Sequence, residues 1–357
     1  MFDHLSLPVL LLLFAAAGAA VWVAGTYLSD TTDVLSSRLG LGEALGGLIL
    51  LAIVTNLPEL AITVSAALGG HLDIAVGNIL GGIALQTVVL VLLDAFGLGK
   101  QFSLTYRAGS LVLVLEGVLV IAVLTVAVIG SQLPATLIFH RVAPASLLIF
   151  LLWAAGLWLI GKARHGLPWQ EHGIMPPEGP PKKRGHDQPG QNSQAQQQAS
   201  IARTVLVFLA GSAVTLVAGV VLERSGEAIA AHIGMSGVLF GSTVLAAATS
   251  LPELSTGLAA IKLGDYELAI SDILGGNAFL PVLFLLASVL SGQAVLPRAG
   301  KTDIYLTGLG ILLTSVYLYG LVFRSRRQIA RMGIDSFLVL VLYALGVLGL
   351  IAISGNS

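Results

Sequence analysis

Long apolar stretches alternate with short polar connections along most of this chain. Ten of the stretches match the ~20 residues needed to cross a bilayer core as helix. They cover residues 5–28, 41–68, 71–95, 108–130, 137–161, 201–223, 234–262, 265–291, 302–323 and 333–354. The first run is too long, and lacks the basic lead, for a cleaved signal peptide, so it reads as a spanning helix. Only residues 162–200 form a long polar segment. It carries Pro176-Pro177, Pro180-Pro181 and a Gln-rich run ending at Gln198. Such a composition builds no core and reads as a flexible linker. The pattern predicts an all-α integral membrane protein of ten transmembrane helices. Its units are 1–161, the linker 162–200, and 201–357.

The two helical units repeat. Thr55-Asn56-Leu57-Pro58-Glu59-Leu60 returns 194 positions later as Thr249-Ser250-Leu251-Pro252-Glu253-Leu254. At the same offset, Asn78-Ile79-Leu80-Gly81-Gly82 meets Asp272-Ile273-Leu274-Gly275-Gly276. Residues 55–84 share 13 of 30 positions with their counterparts, more than apolar composition alone explains. The signature segments are 41–95 and 234–291. Five spans per unit is an odd number, so the second unit enters the membrane from the opposite side. Two inverted five-helix repeats of this kind place a substrate site near the midplane, between interrupted helices.

Composition agrees. Apolar residues make up 56% of the chain and charged residues 10%, against about 25% charged in soluble domains. A net charge of −1 gives no basic field for a nucleic-acid partner. Without cysteine there is no disulfide, thiol nucleophile or thiolate metal site. The basic residues are placed unevenly. Fourteen fall in the loops after spans 1, 3, 5, 7 and 9, and four (Arg141, Arg224, Arg298 and Lys301) on the other side. The positive-inside rule then puts the linker in the cytoplasm and both termini outside, in a multi-pass protein of the plasma membrane.

Glu59 and Glu253 lie deep in apolar helices, where an ionisable group is costly and marks function. Pro58 and Pro252 beside them lack an N–H and free the carbonyls of Val54 and Ala248. Thr55 and Thr249 precede the glutamates by one turn, Asn56 and Ser250 by three residues. Carboxylate, side-chain oxygens and carbonyl can converge at these spacings, and hard cations take such oxygens. Asn78, Gly82 and Gln86 follow at i, i+4 and i+8 on one helix face, as do Asp272, Gly276 and Leu280. The candidate ligands are Glu59, Glu253, Thr55, Asn56, Thr249, Ser250, Asp272, Asn78 and Gln86. The glycine pairs read as points of close helix approach. Asn277 faces Ile83 in the repeat, so symmetry does not support it. Glu116 has Gly310 as its counterpart and reads as structural, with Arg107 as its partner or a crevice beside it. Asp73 and Glu267 suit helix starts. The basic cluster of residues 324–331 reads as a topology determinant touching anionic lipid.

These residues resemble the calcium/cation antiporter superfamily, whose best-known members are sodium/calcium exchangers. The resemblance rests on the two Thr-x-Leu-Pro-Glu segments, the Ile-Leu-Gly-Gly segments after them, and the linker between the halves. It covers all ten spans in architecture and is sharp in sequence over 41–95 and 234–291. It implies alternating access, with the two glutamates carrying Ca2+ or Na+, and ligands at Thr55, Asn56, Thr249, Ser250 and the carbonyls near Ala52 and Ala246. The chain departs from the sodium/calcium exchangers where those carry serine or a closing acid or amide. Gly82 and Gly276 stand at the serine positions, Gln86 and Leu280 at the closing ones. Asn56 in place of serine is closer to proton/calcium exchangers.

The expected function is secondary active antiport of Ca2+ against H+ or Na+, with inorganic cations as cargo, membrane lipid around the chain, no bound cofactor and no obligate protein partner. The chain carries no Walker-type Gly-x-x-x-x-Gly-Lys segment and no catalytic His-Glu pair or serine motif, so an enzyme is not expected. A passive cation channel or an ion-binding sensor of the same fold are the rival readings.

Overall fold

A computed structural model of the protein describes residues 2, 4–39, 47–98, 102–164, 166, 201–235 and 237–354. Its helices in chain order are α1 (Leu7–Leu39), α2 (Gly47–Thr55), α3 (Leu57–Gly69), α4 (Leu72–Gly97), α5 (Leu104–Arg107), α6 (Leu111–Ser131), α7 (Pro144–Arg164), α8 (Ile201–Ile233), α9 (Gly237–Phe240), α10 (Ala246–Thr249), α11 (Leu251–Leu263), α12 (Tyr266–Phe279), α13 (Leu283–Ser291), α14 (Lys301–Phe323) and α15 (Ile334–Ser354). A π-helical turn, Gly241–Leu245, joins α9 to α10, and a 3-10 turn, Leu280–Val282, joins α12 to α13. A small hairpin, β1 (Gln328–Ile329) and β2 (Met332–Gly333), lies between α14 and α15.

Hydrocarbon offers no partner for backbone N–H and C=O groups, so a chain this apolar spans as helix. Among the described residues eight helices are long and apolar enough to cross a membrane, and the bent pair Gly241–Thr249 and Leu251–Leu263 makes a ninth. The expected span 41–68 begins outside the described residues and continues as α2 and α3. The expected linker also lies outside them, apart from residues 162–164 and 166.

The sequence repeat is a repeat of conformation. α3 and α11 are both 13 residues long and start 194 positions apart. Asn56 (φ −90°, ψ 17°) and Ser250 (φ −82°, ψ 5°) break the chain before them in the same way. Gly70 and Gly264 end them in the left-handed region, at φ 80° and 83°, where glycine meets no Cβ penalty. Pro58 and Pro252 each take the second position of the new helix, where no helical acceptor waits for their missing N–H.

Packing follows the same offset. Gly25 on α1 meets Pro252, and a Cβ there would stand 2.9 Å from the proline Cβ. Gly219 on α8, 194 residues later, meets Pro58, with its carbonyl oxygen 3.0 Å from such a Cβ. The first helix of each unit thus crosses the broken helix of the other. The main core gathers Ile79, Leu90, Leu113, Val120, Ile273, Phe284 and Leu313. A smaller cluster with Leu10, Val21, Leu222 and Phe240 lies between α1 and α8.

Several expectations need correction. Span 234–262 takes up a π-turn besides its break at Ser250, whereas span 265–291 runs as one span from Tyr266 to Ser291, tightened into a 3-10 turn at Leu280–Val282 beside Pro281, which cannot donate to the ladder. α1 and α8 run on to Leu39 and Ile233, well past the apolar stretches that predicted them. The expected span 137–161 starts only at Pro144, because residues 134–143 form a turn closed by a Phe139–Val142 bridge. Glu116 pairs with Arg164 at 3.1 Å rather than with Arg107. Arg107 instead donates to the Tyr266 hydroxyl at 2.8 Å and lies over the Phe102 and Tyr266 rings.

Candidate cation site

Both glutamates sit in the first turn of a half-helix, where the unpaired N–H groups and the dipole favour negative charge. Both are fully buried, at 0% exposure. The breaks at Asn56 and Ser250 aim them at a third helix, α4, and at one side chain on it. Gln86 Nε2 lies 3.5 Å from Glu59 Oε1, 3.4 Å from Glu253 Oε1 and 3.2 Å from Asn56 Oδ1. An amide nitrogen carries two hydrogens, yet three oxygens surround this one. It occupies a position that suits a cation. The other glutamate oxygens, Glu59 Oε2 and Glu253 Oε2, and Gln86 Oε1 are buried without a hydrogen-bond partner. Thr249 contacts Glu59 from the opposite unit.

The remaining polar residues of the breaks turn back on their own helices. Asn56 Nδ2 donates to the Ala52 carbonyl at 2.7 Å, and Thr55 Oγ1 to the Leu51 carbonyl at 3.1 Å. Ser250 Oγ and Thr249 Oγ1 donate to the Ala246 carbonyl at 2.8 and 3.2 Å. Ala52 and Ala246, the carbonyls that the family resemblance implies as ligands, therefore lie one turn before the breaks at Asn56 and Ser250 and accept the side chains of those residues.

Asp272 adjoins Glu253 through Thr256, whose hydroxyl reaches both the Asp272 carboxylate and the Glu253 carbonyl. Its charge acts on Glu253. Sequence reasoning missed Thr256. Its counterpart is Ile62, so the repeat gave no signal, and only its place one turn after Glu253 could have raised it. Asn78 is buried two turns before Gln86 on α4, and neither of its amide atoms has a hydrogen-bond partner. Asn277 donates to Thr87 Oγ1 at 3.3 Å, beside Gln86, with both groups fully buried.

The glycine pairs split in function. A Cβ on Gly276 would stand 2.7 Å from Asn56 Nδ2, and one on Gly81 2.6 Å from Ser242 Cβ. Gly82 has no such neighbour within 4 Å, and Gly275 only Ala52 at 3.6 Å. One glycine of each pair therefore permits a close approach and the other does not.

Glu116 sits apart, in a crevice lined also by Ala52, Trp153, Arg164, Ser271 and Phe279. Ser271 donates to its Oε1 at 2.8 Å. Among the described residues no three of His, Asp and Glu gather as around a resident metal. The central site offers two carboxylates and neutral oxygens, which suits a passing ion more than a fixed one.

A model of the sodium/calcium exchanger protein family matches residues 9–161 and 203–352. The chain is 28% identical over 308 residues to a protein of Alkalimonas amylolytica named "Putative antiporter CaxA", covering 84% of this chain and 86% of that one. It is 26% identical over 274 residues to inner membrane protein YrbG of Escherichia coli (strain K12), covering 76% and 77%. Its fold is similar to the crystal structure of the H+/Ca2+ exchanger CAX, with a TM-score of 0.61 at 13% identity over 96% of this chain and 87% of that one. The sodium-calcium exchanger NCX_Mj is similar in fold to the same degree, with a TM-score of 0.60 at 16% identity over 96% and 99%. With its paired glutamates on paired helix breaks, the chain belongs to the sodium/calcium exchanger protein family and is a multi-pass membrane cation antiporter.

Proposed function

We propose that the protein exchanges Ca2+ for H+ by alternating access, at one site held by Glu59 and Glu253. The observation that carries this is the crowding of three oxygens around Gln86 Nε2. A cation taking that place gains both carboxylates and the Asn56 oxygen. Gln86 can then turn its own oxygen inward, and Thr55, Thr249, Ser250 and the Ala52 and Ala246 carbonyls stand one turn away. Ca2+ accepts several oxygens in flexible geometry, and losing its water needs that compensation. Asp272 and Asn78 are the outer members of the set.

The proton reading of the counter-ion rests on what is missing. Gly82, Gly276 and Leu280 offer no side-chain oxygen, so a sodium ion near them would be undercoordinated in a dry site. A proton needs only one carboxylate that takes it up as the cation leaves. Glu59, Glu253 and Asp272 are the candidates. That relatives carry names such as H+/Ca2+ exchanger and sodium-calcium exchanger supports cation exchange in general.

The architecture that goes with this reading has ten spans in two inverted repeats, 1–161 and 201–357, with a cytoplasmic linker at 162–200 and both termini outside. Support comes from the 194-residue repeat of helix breaks and caps. The two blocks matched by the family also stop and restart at either side of the linker.

The test is flux in proteoliposomes loaded with Ca2+. An inward proton gradient, without sodium, is expected to drive Ca2+ efflux. Glu59→Gln and Glu253→Gln are expected to abolish it while the protein still inserts, and Asp272→Asn to flatten its pH dependence. Efflux that needs external Na+ and ignores pH overturns the proton reading. Near-normal flux in an inserted glutamate variant removes that residue from the site, and current far above transporter turnover favours a channel.

A further inference from the structure

Away from the glutamate pair the structure holds another buried acid with an oxygen to spare. Asp303 lies in the first turn of α14 and is 4% exposed. Its Oδ2 accepts the N–H of Gly300 at 2.7 Å, closing the helix start. Its Oδ1 has no hydrogen-bond partner, which is costly for a group removed from water. That oxygen faces α4, where a Cβ on Gly77 would stand 3.6 Å from it.

The next residue on α4 is Asn78, 2% exposed and unbonded at both amide atoms. One turn on comes Gly82, with open space in place of a side chain. One further turn brings Gln86 and both glutamates. Residues 78, 82 and 86 share one helix face. At the exposed start of α4, Asp73 is near enough for its charge to act on Asp303. Helix capping accounts for Asp73 and for Asp303 Oδ2. It accounts for neither Asp303 Oδ1 nor Asn78.

We propose that Asp303 and Asn78 form a cation-recruiting station between the glutamate pair and the membrane face at which α4 begins. The station offers a carboxylate oxygen and an amide oxygen, both suited to a hard divalent cation. Two ligands are too few to hold the ion at rest, so it keeps part of its water there and moves on along the open face at Gly82. A fixed negative charge at the mouth raises the local cation concentration and the rate of arrival. This rests on the glutamate pair as the transport site.

The test compares Ca2+ uptake by right-side-out and inside-out membrane vesicles. Asp303→Asn keeps an oxygen for the Gly300 N–H, so the helix cap survives. Its KM for Ca2+ is expected to rise about threefold to tenfold at the face where α4 begins and to stay unchanged at the other. Its maximal rate is expected to stay near that of the native protein, and Asp303→Glu to restore KM to within about twofold. An equal change at both faces, or none at either, overturns the station. Should Asp303→Asn fail to insert, Asp303→Ser, which keeps an oxygen acceptor at the helix start, reads the same sidedness, and a symmetric result from it is equally decisive against the station. Absence of Ca2+ uptake by the native protein at both faces would instead overturn the glutamate site itself.

Discussion

Gly25 and Pro252 touch across the two units of the chain, with room for nothing larger than a hydrogen between them. Gly219 and Pro58 repeat the contact 194 residues later. The atoms facing Gly219 include the Pro58 backbone, which cannot rotate away. Gly219→Ala is therefore expected to cost about 1–3 kcal/mol through overpacking. Gly25→Ala meets the rigid Pro252 ring at 2.9 Å and its Cα at 3.2 Å, and is expected to cost a similar amount. Thermal unfolding in detergent checks both, and equal native-like melting would show that these helices separate freely.

Gly276 and Gly82 are equivalent in the repeat but not in the structure. Gly276→Ala drives a methyl into Asn56 and is expected to lower Ca2+ transport by about tenfold or more, since misplacing a ligand by a fraction of an ångström is costly in a close-packed site. Gly82→Ala meets no atom within 4 Å, so it is expected to keep native stability and, narrowing only the face along which the cation passes, to lower transport less than Gly276→Ala does. Flux assays on the two variants at matched insertion decide this, and a reversed order would contradict the geometry.

Gln86 supplies a hydrogen-bond donor to both glutamates. Gln86→Leu leaves two buried carboxylates facing each other with less compensation, so the cation-free protein is expected to melt at lower temperature. Bound Ca2+ is expected to restore less, because a ligand of the folded state stabilises it by mass action and the variant lacks the Gln86 oxygen for the ion. The expected readout is a smaller Ca2+-induced rise in melting temperature than in the native protein. An unchanged rise would mean that Gln86 supplies no oxygen to the ion.

Arg164 neutralises Glu116 within the crevice. Arg164→Ala strands that carboxylate and is expected to cost about 3–5 kcal/mol, whereas replacing both partners by apolar residues is expected to be far milder. Comparing Arg164→Ala with the double variant Glu116→Leu, Arg164→Leu by thermal unfolding separates an ion pair from mere packing. The double variant melting below the single one would refute the argument.

The topology has its own test, because the chain has no cysteine of its own. A cysteine at Gln194 is expected to be labelled only from the cytoplasm, and one at Ser131 only from outside. Labelling of both from one side would contradict the inversion.

The apolar pattern foretold most helices, because a bilayer leaves a chain few alternatives. The central site was legible where the repeat spoke twice: Glu59 with Glu253, each next to a proline. Gln86 entered as a ligand although its counterpart is Leu280, because it falls on the Asn78 face. What stayed hidden depends on contacts between helices distant in sequence. Nothing in the sequence told Arg164 from Arg107 as the partner of Glu116, or paired Gly25 with Pro252. Nor did the glycine pairs reveal which member is crowded. That depends on Asn56 reaching Gly276, while nothing comes within 4 Å of a Cβ at Gly82. The 3-10 turn at Leu280–Val282 was readable from Pro281, but the apolar run around it masked the change of pitch.

The π-turn Gly241–Leu245 lies in the second unit, while Gly47–Thr55, the corresponding stretch of the first, is plain α-helix. A π-turn carries one residue more than the helix needs. Such a surplus can shift along a helix by exchanging one hydrogen bond for the next, turning every residue it passes by about 100°. Here the residues downstream are Thr249, Ser250 and Glu253, and Gly81 leaves the turn in direct contact with α4. The second glutamate therefore hangs from a helix with slack and the first from a taut one. A carrier built this way is mechanically polar: its two halves share a sequence plan, yet its forward and return strokes need not be mirror images.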